Sequence, residues 1–228
     1  LLVAISDTAT ECVVVISVSM RKILDISPAV HSDAPVFPGD TAYQQAVHFS
    51  HGPGCPVTVH TIKMSPHTGA HADAPMHYHA EGAGIGTLAL DAYIGHCRVI
   101  DCTRSIGLVE PADVAHALHD LPPRVLIKTS VTASQSWQLF TAIAPATLHA
   151  LKAVCKGFCL IGTDTPSLDP AESKDLASHM TLFDLDLRVL ENLVLDGIEE
   201  GDYELIALPL KLTHCDAAPV RAVLRTLN

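Results

Sequence analysis

The sequence predicts an α/β fold formed by one domain. Three observations carry that expectation. Short apolar runs have the length of buried strands, segments with helical spacing lie between them, and 228 residues run without an internal repeat or a Gly/Ser linker.

After Met20, short β-rich runs come first. The alternation then begins with "CRVIDCT" (97–103), whose apolar run reads as a buried strand. "EPADVAHALHDL" (110–121) follows with helical spacing and a proline at its first turn, where a missing N–H is harmless. "RVLIKTS" (124–130) is the next strand. A second helix is expected over "APATLHALKAVCKG" (144–157), again opened by proline, with Gly157 as its stop. "FCLIGTD" (158–164) and "YELIALPLKL" (203–212) complete the set of apolar runs, and a short helix from Asp216, "DAAPVRAVLRTL", is expected to close the chain.

Residues 1–19 read differently. Asp7 and Glu11 interrupt their apolar run and no basic segment precedes it, so neither a secretion signal nor a membrane span is supported. Met20, followed by Arg21 and Lys22, looks like a natural start. The expectation is a non-native or disordered extension over 1–19 and one domain over 20–228.

Composition narrows the partners. A formal charge of −11 without a Lys/Arg cluster argues against nucleic acid, which needs a basic patch to displace counterions. No membrane association is expected. With 48% hydrophobic and 17% charged residues, surface is expected to be hidden in a homo-oligomer, with a homodimer as the minimum. Seven scattered cysteines without a CxxC pair fit a reducing, cytoplasmic location and, for the most part, a role as small buried hydrophobes.

The densest chemistry lies in "SPHTGAHADAPMHYH" (65–79), where His67, His71, Asp73 and His77 all fall on odd positions and would share one face of an extended chain. Fully extended, His67 to His77 would span roughly 33 Å, too far for one metal centre. The chain must bend, and Gly69 and Pro75 are where bending is least costly. A helical HxxxH arrangement is disfavoured by Gly69 between the histidines and by the flanking prolines. Imidazoles with a carboxylate suit Zn²⁺ or Mn²⁺, and the two oxygens of Asp73 can bridge two ions. Spacing alone leaves His79 open as a further ligand.

"HTGAHADAPMH" (67–77) resembles the H-x-G-T-H-x-D-x-P-x-H signature of the cyclase family of metal-dependent hydrolases, and its branch of bacterial-type kynurenine formamidases, or arylformamidases. "LDISPAVHSDAPVFPGD" (24–40), "GTDTPSLDPAESKDLASH" (162–179) and the block over 190–225 are similar to that branch in the same order, so the resemblance spans about residues 22–226. It implies a swivelling β/β/α-type fold with a mixed sheet and flanking helices. It also implies two divalent metal ions per subunit, zinc by preference with manganese possible. His67 and His71 would hold one ion, His179 the other, Asp73 and Glu191 would bridge them, and His77 would be the catalytic acid/base.

The small-molecule substrate implied is N-formyl-L-kynurenine, cut to L-kynurenine and formate by a metal-activated water. Ala70 stands where the signature has Thr. Phe37 stands where the formamidases carry a Trp that lines the substrate pocket, which keeps another amidohydrolase of the family, such as an isatin hydrolase, as the rival. A metal-binding protein without catalysis is the rival from another class.

The distant pair makes a physical demand. Twelve residues of helix would part His179 from Glu191 by about 18 Å, too far for ions about 3.5–4 Å apart. A short helix through "TLFDLDL" (181–187), then a strand or turn near Glu191, is expected. Asp164 and Asp169 have two readings, as carboxylates that orient ligands or as turn caps. His31, His48, His51, His60, His96, His116, His119, His149 and His214 read as surface or core histidines.

Overall fold

The computed structural model describes residues 21–133 and 135–227. The expectation for residues 1–19 lies outside the described residues. In chain order the strands and helices are β1 (Ile23–Asp25), β2 (Gln44–Phe49), β3 (Val59–Lys63), β4 (His71–Asp73), β5 (Ile94–Asp101), β6 (Leu108–Val109), α1 (Pro111–Val114), β7 (Arg124–Lys128) and β8 (Ala142–Ile143). They continue with α2 (Pro145–Val154), β9 (Leu160–Thr163), α3 (Ala177–Asp184), β10 (Arg188–Leu190), β11 (Gly201–Ile206), β12 (Ala217–Pro219) and β13 (Val223–Thr226).

Seven strands form a mixed sheet in the order β1-β13-β11-β5-β7-β9-β10. The β1, β13, β11 and β5 neighbours pair antiparallel, and β5, β7, β9 and β10 run parallel. The parallel half is buried on both faces, which is why its strands read as unbroken apolar runs. In β7, Leu126 faces one core while Val125 and Ile127 face the other. The same two-residue period sends Leu160 and Ile161 of β9, and Leu190 and Val189 of β10, to opposite sides.

Each face has its own cover. Leu148 and Leu151 of α2, Leu182 of α3 and Val114 of α1 pack on the side of Val125 and Ile127. The opposite side is closed by the two-stranded β4–β12 sheet, through Ala72 and Ala218, together with Ala70, Ala74 and Val220. Small side chains here let a second sheet lie close to the first. The result is a small sheet, a large mixed sheet and a helical layer, the β/β/α layering expected from the resemblance.

Three expectations need correction. No helix follows Asp216. β12 and β13 occupy that stretch, because pairing with β4, and with β1 and β11, outweighs the local helical spacing. The strand expected over 203–212 stops at Ile206, before Pro209, which has no N–H for a ladder. The helix expected over 110–121 is also shorter, α1 passing into a 3₁₀ turn at Ala115–Ala117. Of the described cysteines, Cys97 and Cys102 are buried, and Cys55, Cys155, Cys159 and Cys215 are partly exposed.

The hairpin of β2 and β3 stands apart. Its residues are exposed along both strands, and Val47, Phe49, Val59 and Ile62 show 40–58% of their surface. Among the described residues no helix is long and apolar enough to cross a membrane.

Candidate metal centre

β4 is three residues long, yet it carries both His71 and Asp73 into the interior. Its register is fixed on two sides. β12 pairs with it antiparallel, and His71 and Glu191 exchange two backbone hydrogen bonds, 3.2 and 3.0 Å. Glu191 follows the last residue of β10 directly, so the end of the parallel edge strand delivers its carboxylate to β4. His67 enters from the preceding turn, which Gly69 closes with φ +70°. A Cβ there would lie 2.8 Å from Cγ2 of Val30. Pro75 begins a 3₁₀ turn, Pro75–His77, so both bends fall where the sequence places them.

His179 comes from α3. That helix ends at Asp184, the chain turns through Asp186 at φ +51°, and β10 then runs to Glu191. The break demanded between the two residues is present.

These side chains converge. His67 Nδ1 lies 2.9 Å from Asp73 Oδ1, and His71 Nε2 lies 3.3 Å from the same oxygen and 3.5 Å from Glu191 Oε2. His179 Nε2 lies 3.6 Å from Asp73 Oδ2 and 3.3 Å from Glu191 Oε1. His71, Asp73, His179 and Glu191 are each no more than 3% exposed. Despite these short approaches, Asp73 Oδ1 and His179 Nε2 have no hydrogen-bond partner. Leaving buried polar atoms unpaired is costly, so donors that crowd together without bonding to one another call for a further group between them.

The outer ring nitrogens behave differently. His71 Nδ1 bonds the Gly69 carbonyl at 2.9 Å, His179 Nδ1 bonds Asp169 at 2.6 Å, and His67 Nε2 bonds Asp216 at 3.0 Å. Each imidazole is thus oriented from behind while its other nitrogen faces the cluster, the arrangement of metal-bound histidines.

Charge points the same way. Burial pushes the His71 imidazole down, but Asp73 and Glu191 beside it raise it to about 10, and His179 is raised well above its ordinary value against the same burial. Burial pushes Asp73 up, yet the facing histidines hold it well below the usual carboxylate range. Burial and the Asp73 charge push Glu191 up, and His179 and His71 bring it lower. Two ionised carboxylates in a dry pocket require positive charge beside them. His67, His71 and Asp73 form one triad that could hold a cation and Asp73, His179 and Glu191 form another, with Asp73 common to both. The imidazole and carboxylate donors fit a borderline divalent ion such as Zn²⁺ or Mn²⁺.

His77 sits at the rim, its ring 4.4 Å from that of His67 and its Nδ1 3.4 Å from Asp216 Oδ2. Asp216 therefore touches both histidines, and the three also form a group that could hold a cation. His79 does not join: it stacks on Phe183 at 3.7 Å. Asp169 has both of its weighed roles, accepting from the backbone N–H groups of Ser178 and His179 as well as from the His179 ring. Asp164 makes no hydrogen bond or ion pair with the cluster; it accepts from the backbone N–H groups of Thr129 and Ser130, and from the Thr129 hydroxyl, where the chain leaves β7, which is the capping role.

A cavity of about 360 Å³ opens onto the cluster, lined by His67, His71, His77, His179 and Glu191. Phe37 lines it too, half exposed, with its ring edge-on to Trp137 at 5.0 Å. Sequence reasoning missed Asp216 and Trp137. Asp216 carries no local signal, since only the β12–β4 register brings it to His67 and His77. Trp137, the one tryptophan of the chain, lies in an irregular segment without periodicity.

The cyclase family model matches residues 24–170. A kynurenine formamidase of Polaromonas naphthalenivorans is 62% identical over 207 residues, covering 91% of this chain and 92% of that protein. The kynurenine formamidase of Bordetella pertussis is 53% identical over 210 residues, covering 91% and 100%. Among solved structures, one titled a potential metal-dependent hydrolase with cyclase activity superposes with a TM-score of 0.78 at 27% identity, covering 92% of this chain and 100% of that one. Isatin hydrolase A of Labrenzia aggregata shares the fold, with a TM-score of 0.75 at 20% identity over 91% and 94% of the two chains. With its motif, its layered fold and these relatives in agreement, the chain belongs to the cyclase family.

Proposed function

We propose that this protein is a kynurenine formamidase, hydrolysing N-formyl-L-kynurenine to L-kynurenine and formate at the His/Asp/Glu cluster. The observation that carries the reading is His77 standing at the mouth of a buried donor cluster, on a cavity walled by Phe37 and Trp137. Relatives at 53–62% identity bear that name.

Two divalent ions, zinc by preference, are assigned to the two triads: His67, His71 and Asp73, and Asp73, His179 and Glu191. Bound there, they supply Lewis acidity that lowers the pKa of water toward neutrality and polarises a carbonyl. The chain's own residues do the rest. Phe37 and Trp137 hold the aryl ring and exclude water from one side of it. Asp216 accepts from Nδ1 of His77 and so leaves Nε2 as the free base. An imidazole can take a proton and return it near neutral pH. Nε2 takes the proton of the water that attacks the formyl carbon. It then protonates the aryl nitrogen as the C–N bond breaks, so that an amine leaves rather than an anilide anion.

A homodimer is part of the same proposal. A two-stranded hairpin is marginal alone in water, and the exposed Val47, Phe49, Val59 and Ile62 of β2 and β3 need a cover that a second subunit supplies. Cytoplasmic placement is supported by six free thiols among the described residues. Residues 20–228 are taken as one catalytic domain.

The test is a rate comparison on N-formyl-L-kynurenine and isatin after reconstitution with Zn²⁺ or Mn²⁺. Preferred release of formate from the formamide supports the proposal, and preferred opening of isatin overturns it.

A further inference from the structure

The cavity carries more than the cluster and its aromatic wall. Asp40 and Lys174 also line it, and they are its remaining charged residues outside the His/Asp/Glu cluster. Neither forms an ion pair with another described residue. An unpaired cation and an unpaired anion lining one cavity match a zwitterion.

Both are exposed and lie on hydrogen-bonded turns. Asp40 follows Phe37 in a tight turn, its backbone N–H bonded to the Phe37 carbonyl at 2.9 Å, and its Oδ1 accepts from the backbone of Thr41. Lys174 lies on the turn between Pro170 and Leu176. Ser173 donates its backbone N–H to the Pro170 carbonyl at 2.9 Å, and its hydroxyl accepts from the backbone of Leu176 at 3.1 Å and donates to Asp175. Leu176 takes φ +46°, a left-handed conformation that a leucine adopts only at a cost of about 1 kcal/mol or more. The same turn leads into α3 and His179, so the position of Lys174 is coupled to the cluster wall.

We infer that Lys174 and Asp40 read the α-carboxylate and α-ammonium of an amino-acid substrate, and so select a zwitterionic aryl formamide over a neutral one. This rests on the formamidase reading above. It assigns the end of the substrate that the donor cluster and the aromatic wall leave unaddressed. It also supplies a physical ground for discrimination against isatin, which has no zwitterionic tail to satisfy the pair.

The experiment compares kcat/KM for N-formyl-L-kynurenine with that for 2-formamidoacetophenone, the same aryl formamide without the amino-acid tail. In the wild-type protein the tailed substrate is preferred. In Lys174→Met that ratio falls about tenfold or more, mainly through KM, because a charge-assisted contact made equally in ground and transition states is lost. Lys174→Arg retains most of the preference, and Asp40→Asn lowers it by about threefold. An unchanged ratio in Lys174→Met, or a wild-type protein without preference, overturns the inference. A wild-type protein that cleaves neither formamide overturns the formamidase reading itself.

Discussion

Asp169 Oδ2 lies 2.6 Å from Nδ1 of His179, while Nε2 of the same ring faces Asp73 and Glu191 with no hydrogen-bond partner. One carboxylate thus fixes the tautomer and aim of an imidazole whose other nitrogen is reserved for the cluster. Asp169→Asn keeps the shape and loses the negative charge. It is expected to weaken metal affinity about 10–100-fold with little change in fold. Chelator competition and circular dichroism on the same preparation check this; unchanged affinity would remove Asp169 from the site.

The acid/base role proposed for His77 can be tested apart from metal retention. It sits at the rim with Asp216 behind Nδ1, outside the two triads that share Asp73. His77→Ala is expected to leave metal content unchanged while kcat falls about 10²–10⁴-fold, the usual worth of a positioned acid/base. Loss of one ion per chain would make His77 a ligand, together with His67 and Asp216.

Gly69 shapes the turn between the first two histidines. Gly69→Ala forces a Cβ into the left-handed region and to within 2.8 Å of Val30 Cγ2. A loss of about 1–3 kcal/mol in unfolding free energy is expected, accompanied by weaker metal binding as His67 shifts. The double variant with Val30→Ala should recover only part of it, since the dihedral strain stays. Denaturant unfolding measures both.

Proton linkage in the metal-stripped protein has a defined sign. His71 has its folded pKa raised from 6.5 to about 10 against burial by Asp73 and Glu191, so its stabilising contribution is fully present below pH 6.5 and is lost as pH rises through about 10. His67 and His179 shift in the same direction. The unfolding midpoint of stripped protein should therefore fall between pH 6.5 and 10. Metal-loaded protein, whose imidazoles are neutral ligands, should lose much less over that window. Equal slopes for both forms would count against the cluster as the metal site.

Strands buried on both faces were legible in the sequence because burial makes them continuous apolar runs, as in β7 and β9. Helix α2 was legible from its opening proline and spacing. What depended on long-range pairing was not. The 216–227 stretch has local helical spacing, but β12 and β13 gain partners from β4, β1 and β11, and no local pattern encodes that. The same holds within the site. His67, His71, Asp73 and the bends at Gly69 and Pro75 could be read locally. His179 and Glu191 came only through family resemblance, although the need for a break between them followed from helix geometry. Asp216 reaches His67 and His77 through strand register alone.

The central claim is that two ions on the Asp73-centred cluster drive formamide hydrolysis. Its most direct test measures metal content and formate release together while Zn²⁺ or Mn²⁺ is added back to chelator-treated protein. The rate should rise from near zero in step with occupancy and level off at two ions per chain, and Asp73→Asn should bind neither ion tightly nor turn over. Full activity in metal-free protein, or saturation of binding with no rise in rate, would contradict the claim.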